Sequence, residues 1–354
     1  MDVERWALNL QSANEALVEI IRTKIRERGP QSFAWFMEQA LYHPEHGYYS
    51  SDCAAIGRRG DYFTNVSVGP LFGELLAAQF AEIWERLGKA DKFLIVEQGA
   101  HHGQFARDVL ESTQRRFPEF FSALRYQIIE SFSILQDRQS QALQQFRDRV
   151  LWKKSLGELD PFIGIHFSNE LLDAMPINLR GKLVGLDGDK LVFVDGPTAA
   201  PLNQAMLDWL DSLSTKLERG FVIAIDYGFS RAEFREALQV RAKHRLLDSP
   251  FEEIGKADIT AHVNWTDLAE RAEAIGLGLA GFSDQHHFIT GIMAEFPGPF
   301  EEADAKTKRQ LQTLLHPEML GRTFQVLALA KDVDLAAPLS GFKFARNPRD
   351  ALGL

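Results

Sequence analysis

Four strand-like apolar runs in this chain each end at a carboxylate, and this pattern constrains the fold more than any other feature. The runs are Phe93–Glu97, Tyr126–Glu130, Phe162–Glu170 and Phe221–Asp226. Short continuous apolar runs that alternate with helical stretches predict strands of a mostly parallel sheet covered on both faces. Such sheets bind ligands at the carboxyl ends of their strands, so we expect the acids to line one crevice. The pattern is typical of proteins that bind a nucleotide-type ligand.

The composition permits one large domain or two, and it excludes several classes of protein. The 354 residues are 45% hydrophobic and 25% charged, which is ordinary for a globular chain with a sizeable core. No apolar stretch approaches the ~20 residues of a membrane span, and the first residues resemble neither a signal peptide nor a transit peptide. The single Cys53 excludes an internal disulfide and a multi-cysteine metal site. These features predict a cytoplasmic protein.

The charge balance limits the kinds of partner. A net charge of −10 argues against a general affinity for the phosphates of nucleic acids. We therefore expect neutral or basic partners, with no nucleic acid and no membrane among them. Pairing of the chain as a homodimer stays open at this stage.

Apolar spacing predicts a helical first quarter followed by an α/β region. Leu17, Ile20, Ile21 and Ile25 share one helical face, and Gly29-Pro30 ends that helix. Further helices are predicted over residues 33–41 and 71–87. Strands and helices then alternate over residues 92–228, which indicates a right-handed, doubly wound α/β unit.

Two segments interrupt this alternation. Residues 176–205 contain two β-rich runs separated by Asp187-Gly188-Asp189, which predicts a β-hairpin insertion. Later residues predict a helix over 267–275 with Thr266 as N-cap, and strands over 280–288 and 323–331. The predicted domains are a helical N-terminal cap, an α/β core and a peripheral tail, over residues 1–90, 91–335 and 336–354.

The first candidate site is the turn between the first strand of the core and its helix, Glu97 to Gly103. Glycines at such a turn let the backbone approach a ligand, although a tight turn without a ligand is the alternative. A dinucleotide-binding turn needs G-x-G-x-x-G, whereas His101 occupies the second-glycine place. The acid two residues before Gly99 suits S-adenosylmethionine (SAM), whose ammonium needs a carboxylate or a carbonyl. Glu130 ends the next strand and is expected to hold the ribose hydroxyls.

Several long motifs follow one another in an order that resembles a known family. They are Ser32–Met37, Tyr42–Tyr49, Gly60–Thr64, Leu71–Leu75, the Glu97–Gly103 turn, Asn169–Pro176, Asp226–Gly228 and Asp258–Asn264. Together they are similar to the MidA family of SAM-dependent methyltransferases, which includes a mitochondrial complex I assembly factor that dimethylates a protein arginine. The resemblance implies a class I, Rossmann-like methyltransferase with a seven-strand, mostly parallel sheet, a helical N-terminal cap and a β-hairpin insertion.

The resemblance also implies where SAM would bind. Asp61 follows a glycine in a loop and would receive the methionine ammonium, with turn-capping as its structural alternative. Ser155 and Leu156 would lie near the adenine. The full set of expected cofactor-binding residues is Gly60, Asp61, Glu97, Gly99, His101, Gly103, Glu130, Ser155, Leu156 and Asn169.

The methyl acceptor, a protein or a small molecule, determines which side chains are needed for catalysis. Methyl transfer is an in-line displacement at a sulfonium, so the protein mainly positions the nucleophile and supports the developing charge. For a guanidinium, Glu170 and Asp173 would hold its N–H groups. For a hydroxyl, His262 or the pair His101–His102 would serve as base. The structural alternative is that the acids only order the turn after their strand.

The chain departs from the family pattern at the cofactor turn. His101 and His102 stand where the family has glycine and arginine, and Asn65-Val66-Ser67 replaces a segment that carries an acid. Three functional hypotheses stay open: an arginine-directed methyltransferase, a small-molecule O- or N-methyltransferase, and a non-catalytic assembly or binding homologue with weak SAM binding. No metal site is expected, since the histidines lack the spacing of a ligand set.

Overall fold

The structure is a computed structural model that describes residues 3–51, 64–197, 202–233, 238–243, 245–297 and 303–354. Its helices are α1 (Val3–Arg28), α2 (Phe33–Tyr42), α3 (Leu71–Arg86), α4 (Gln104–Arg116), α5 (Pro118–Ala123), α6 (Ser133–Ala142), α7 (Gln204–Lys216), α8 (Trp265–Ala274), α9 (Gln285–Glu295), α10 (Ala305–Leu315) and α11 (Pro348–Leu352). Its strands are β1 (Gln31–Ser32), β2 (Phe93–Gln98), β3 (Leu124–Ile129), β4 (Val150–Lys153), β5 (Phe162–Asn169), β6 (Lys182–Asp187), β7 (Lys190–Asp195), β8 (Leu217–Phe229), β9 (Leu238–Ala242), β10 (Arg245–Leu246), β11 (Asp258–Ala261), β12 (Val263–Asn264), β13 (Gly278–Asp284) and β14 (Phe324–Lys331).

These elements group into two compact units, each built from several stretches of chain. The first comprises Met1–Phe63, Ala174–Asp208 and Arg235–His262, and the second comprises Thr64–Asp173, Trp209–Phe234 and Val263–Leu354. This division differs from the predicted cap at residues 1–90, because α3 packs within the second unit. The ring of Phe72 on α3 lies 5.6 Å from that of Phe105 on α4.

The first unit contains α1, α2 and two small antiparallel sheets. The sheets have the strand orders β1-β6-β7 and β10-β9-β11. The predicted hairpin is confirmed, since Asp187 pairs with Lys190 across a turn in which Gly188 has φ +58°. Helix α1 ends where Gly29 predicted, and Ile21 is buried, but Ile20 is 41% exposed and so does not share the buried face.

The second unit is built on a large, mostly parallel sheet, as the sequence predicted. Its path of seven strands has the order β13-β14-β8-β5-β2-β3-β4, and β12 pairs with β8 beside it. Strands β4, β3, β2, β5 and β8 are parallel, whereas β14 is antiparallel to both β8 and β13. The parallel register brings the carboxyl ends of β2, β3, β5 and β8 to one edge of the sheet. The candidate site therefore lies at this edge.

Two predicted element boundaries later in the chain are wrong, and side-chain caps explain both. Helix α8 begins at Trp265 because Asn264, not Thr266, accepts a hydrogen bond from the Asp267 N–H. The Thr266 hydroxyl instead donates to the Leu352 carbonyl at 2.7 Å. Strand β13 ends at Asp284, whose carboxylate caps α9 by accepting from the N–H of residue 287. Residues 285–288, predicted as strand, are therefore helical.

Candidate functional site

The turn after β2 has the backbone geometry that its glycines predicted. Gly99 has φ +82° and Gly103 has φ +77°, a region that glycine occupies without strain. A Cβ atom on Gly103 would lie 3.3 Å from the Cα of Gln139, so there is also little room for a side chain. Because the N-cap residue Gly103 has no side chain, the first N–H groups of α4 receive no side-chain cap. A helix start of this kind favours a negatively charged or strongly accepting group.

His101 and His102 occupy the middle of this turn. His101 has φ +47°, which is unusual for a residue with a side chain, and its ring centroid lies 3.7 Å from that of His102. Arg138 Nη1 lies 3.0 Å from His102 Nε2, and a guanidinium can only donate, so this ring nitrogen accepts. Burial lowers the pKa of His102. His102 is therefore held as a neutral hydrogen-bond acceptor.

Glu130 lies just beyond β3 and is only 8% exposed. Its Oε1 accepts from the Phe132 N–H at 3.0 Å, and its Oε2 accepts from Gln139 Nε2 at 3.1 Å. Burial raises the pKa of Glu130, while these donors and the Ser131 N–H lower it. A carboxylate has about four lone-pair positions, so one remains for a ligand. This leaves room for one ribose hydrogen bond on Glu130, whereas two were expected from the sequence.

Gln139, which the sequence analysis missed, connects the turn to this acid. Its side chain is fully buried, and its Nε2 also donates to the His101 carbonyl at 2.9 Å. Its Oε1 accepts from Trp152 Nε1 on β4 at 2.9 Å. A glutamine on a mostly polar helix has no distinguishing sequence signal, because all its partners come from other elements.

Glu97 is oriented into the protein. It is 3% exposed, and its Oε2 accepts the Tyr126 hydroxyl at 2.6 Å. Burial raises the pKa of Glu97 to about 7, and the hydroxyl donor lowers it only in part. Its cofactor role stays a prediction.

Asp226 organises the turn after β5. This fully buried carboxylate accepts at Oδ2 from the N–H groups of Leu171, Leu172 and Asp173, at 3.1, 2.8 and 3.2 Å. Its Oδ1 accepts from the Tyr227 N–H at 2.7 Å. Burial raises the pKa of Asp226 to about 7, whereas the backbone donors lower it. Asp226 was expected to line the crevice, but its oxygens hold the neighbouring turn.

Glu170 begins that turn. It has φ +54°, and its N–H donates to the Ile225 carbonyl at 2.9 Å. Its Oε1 accepts from Asn169 Nδ2 at 2.8 Å, and Asn169 Oδ1 accepts from Asn65 Nδ2 at 2.9 Å. A series of side-chain hydrogen bonds thus connects Asn65, near the start of the second unit, through Asn169 to Glu170.

The remaining predicted residues lie on other segments of the chain. Ser155 is exposed and precedes a short 3₁₀ turn in which Leu156 is buried. His262 is half-buried, with a pKa lowered by burial, and it belongs to the first unit, whereas Glu170 and Asp173 belong to the second. Gly60 and Asp61 lie outside the described residues. Across the described ranges, no three His, Cys, Asp or Glu side chains are grouped to hold a metal ion.

Comparison with known proteins shows which family the chain resembles. The profile of a family described as S-adenosyl-L-methionine-dependent methyltransferases matches residues 75–185 and 197–283. The human mitochondrial protein arginine methyltransferase NDUFAF7 is 24% identical over 93% of this chain and 85% of its own length. Its *Drosophila melanogaster* homologue is 24% identical over 94% of this chain and 88% of its own length.

A solved structure with nearly full coverage is also similar. A *Burkholderia thailandensis* protein crystallised with S-adenosyl-homocysteine has a TM-score of 0.86 and 26% identity, over 97% of this chain and 98% of that one. The same comparison confirms the expected Rossmann-like fold and the cofactor. The predicted cytoplasmic location is wrong, since the curated relatives are named as mitochondrial proteins. In the part of the chain that the structure describes, no helix is long and apolar enough to cross a membrane.

Proposed function

The chain belongs to this family of S-adenosyl-L-methionine-dependent methyltransferases, and we propose that it methylates the guanidinium of an arginine in a protein. The observation that carries the proposal is the turn after β5, where Asp226 holds three consecutive backbone N–H groups and so sets the place of Glu170. A rigidly held carboxylate at the ligand edge of the sheet suits a cationic, planar acceptor.

The residues of the site fit the cofactor. Gly99 and Gly103 allow close approach of the backbone, and Glu130 retains one acceptor position. Asn65 adds a fully buried side-chain oxygen for which the described residues supply no donor. When bound, SAM supplies a methyl group on a sulfonium, which a well-placed nucleophile takes by in-line displacement.

Glu170 and Asp173 orient the guanidinium and balance its charge in this proposal. A carboxylate can bind two guanidinium N–H groups at once, which leaves the third nitrogen to face the methyl group. One N–H of the guanidinium then loses its proton, and the carboxylate that it faces, Glu170 or Asp173, is the acceptor on hand. Asp173 is 6% exposed, and its N–H donates a hydrogen bond to Asp226, which holds its backbone in position.

Two further points favour an arginine over a hydroxyl. The human and *Drosophila* relatives are named protein arginine methyltransferases. A hydroxyl acceptor needs an imidazole base, yet His102 Nε2 already faces a guanidinium, that of Arg138. The pKa of His102 is also lowered by burial, which weakens it as a base.

Glu170→Gln tests the proposal. The change keeps the size of the side chain but removes the charge, so kcat should fall by about 10²-fold or more if Glu170 supports the charge of the transition state. The assay incubates the full chain and isotope-labelled SAM with a cell extract, and mass spectrometry then identifies the methylated residue type.

Glu218→Gln is the matched control, because Glu218 is exposed at the other end of β8 from Asp226. This control should retain the wild-type rate. The proposal fails if Glu170→Gln methylates as fast as the wild type, or if the label appears on residues other than arginine.

A further inference from the structure

The hydrogen bonds that connect Asn65, Asn169 and Glu170 have only one chemically allowed direction. The Glu170 carboxylate accepts, so the amide atom of Asn169 facing it at 2.8 Å must be the donor Nδ2. Asn169 therefore turns its Oδ1 towards Asn65, and only the Nδ2 of Asn65 can donate to it, at 2.9 Å. The side-chain oxygen of Asn65, Oδ1, ends this series of hydrogen bonds and has no donor among the described residues.

The burial of this acceptor oxygen is energetically unfavourable. Asn65 has 0% exposure, and its Oδ1 has no hydrogen-bond donor among the residues that the structure describes. A buried polar atom without a hydrogen-bond partner destabilises the folded protein, so few native structures keep one that no ligand or water satisfies. We therefore expect a ligand to donate a hydrogen bond to this oxygen from an N–H or O–H group.

The backbone around Asn65 holds this oxygen in place. The Thr64 N–H donates to Ser67 Oγ at 2.9 Å, and the Ser67 N–H donates to Thr64 Oγ1 at 3.2 Å. Asn65 thus sits in a turn that is closed from both sides. Such preorganisation lowers the entropy lost when a ligand binds.

Asn65 is also connected to the cofactor turn through Asn169. Its partner Asn169 has its main-chain oxygen 3.9 Å from the position of a Cβ on Gly99, and Leu171 packs on the same glycine at 3.6 Å. Glu130, by contrast, meets the other side of the turn through Gln139, which bonds the His101 carbonyl. The adenosine part of the cofactor has its expected acceptor in Glu130, and this leaves the amino-acid part for the side where Asn169 lies.

We propose that Asn65 Oδ1 accepts a hydrogen bond from the α-ammonium group of the methionine part of SAM, and that Asn65 thereby selects ligands that carry an amino-acid portion. An amide oxygen binds an ammonium through a charge-assisted hydrogen bond without adding a second negative charge beside Glu170. The assignment depends on the cofactor, not on arginine as the acceptor.

Calorimetry on the full chain with two probes tests this assignment. S-adenosyl-homocysteine carries the amino-acid portion, whereas 5′-methylthioadenosine has the same adenosine and sulfur without it. Asn65→Leu should weaken S-adenosyl-homocysteine about tenfold or more, equivalent to about 1.4 kcal/mol, and leave 5′-methylthioadenosine within about twofold. Asn65→Ala removes the same oxygen with a smaller side chain and should show the same selective loss of S-adenosyl-homocysteine affinity.

Asn347→Leu provides the matched control, because Asn347 is an exposed cap of α11 in the same unit, and both affinities should stay unchanged. Equal weakening of both probes by Asn65→Leu would mean a structural role and would overturn the assignment. So would wild-type affinity for S-adenosyl-homocysteine in that variant. If Asn65→Leu does not fold, a folded Asn65→Ala that keeps wild-type affinity for S-adenosyl-homocysteine is the contradicting result.

Discussion

Glu97 is a carboxyl group whose surroundings favour its protonated form. It is 3% exposed, and among the described residues the side chain that donates a hydrogen bond to it is Tyr126, through its hydroxyl. Burial raises its pKa to about 7 from an ordinary value of 4.5. The folded state therefore keeps a proton between pH 4.5 and 7 that the unfolded chain has already lost.

The stability contributed by this proton is complete below pH 4.5 and is lost as the pH rises through 7. Glu97→Gln is permanently neutral, and its amide oxygen can still accept from Tyr126. Relative to the wild type, its free energy of unfolding should therefore rise by about 3 kcal/mol between these pH limits. Urea unfolding at several pH values measures the difference.

The exposed Glu218→Gln provides the control at the same pH values, and its difference from the wild type should stay small. If the free energies of unfolding of Glu97→Gln and the wild type change in parallel over this pH range, Glu97 is ionised in the folded protein.

At the scale of single elements, the turn after β5 owes its shape to a side chain from β8. Asp226 is separated by more than fifty positions from Leu171, Leu172 and Asp173, yet it accepts a hydrogen bond from each of their N–H groups. The turn can therefore keep Glu170 at φ +54°, a conformation that costs on the order of 1 kcal/mol for a residue with a side chain. The element that presents the candidate catalytic acid depends on its neighbour.

Asp226→Asn tests this dependence. The amide has one oxygen and one NH₂ group, so it cannot accept from the donors on both sides, and at least one buried N–H loses its partner. The free energy of unfolding should fall by about 2–4 kcal/mol, and methyl transfer should fall with it. Denaturant titration gives the stability change.

Asp284→Asn is the matched control, because Asp284 caps α9 by accepting from the His287 N–H at 2.9 Å. Asparagine caps helices about as well as aspartate, so this variant should stay close to the wild type. Equal stability of both variants would rule out Asp226 as the support of the turn.

At the scale of the whole molecule, cofactor binding should be visible in unfolding. A ligand that binds only the folded protein adds about 2.7 kcal/mol of stability at a concentration of 100 Kd. The described residues that we expect to contact the cofactor, among them Gly99, Glu130 and Asn65, belong to the second unit. We therefore expect S-adenosyl-homocysteine to raise the temperature at which this unit unfolds, as scanning calorimetry would record.

His101→Gly is the informative variant in that experiment. If the imidazole leaves the cofactor free to bind, S-adenosyl-homocysteine should stabilise both proteins to a similar extent. Stabilisation of the glycine variant alone would mean that the His101 ring blocks the cofactor in the native chain. That result would favour the interpretation of the chain as a homologue with weak SAM binding.

The compartment is a further property of the whole molecule, and here the sequence reasoning failed. The net charge of −10 and the ordinary apolar content describe a chain that can fold in water. Net charge and apolar content do not indicate the compartment, because sorting depends on targeting segments that receptors recognise and not on average composition. The mitochondrial names of the relatives corrected the prediction.

Features that depend on neighbours along the chain could be predicted from residue order. Apolar runs of strand length and the glycines of the turn after β2 follow local rules of spacing and backbone sterics, so the parallel sheet and its ligand edge were predictable. The pairing of distant polar atoms, in contrast, depends on the folded arrangement of the chain. Asp226 reached a turn on another strand, Gln139 joined the glycine turn to Glu130, and Asn65 met Asn169 across 104 positions. Such pairs form only when folding brings distant segments together and removes water from them, which makes each buried donor and acceptor find a partner or lack one.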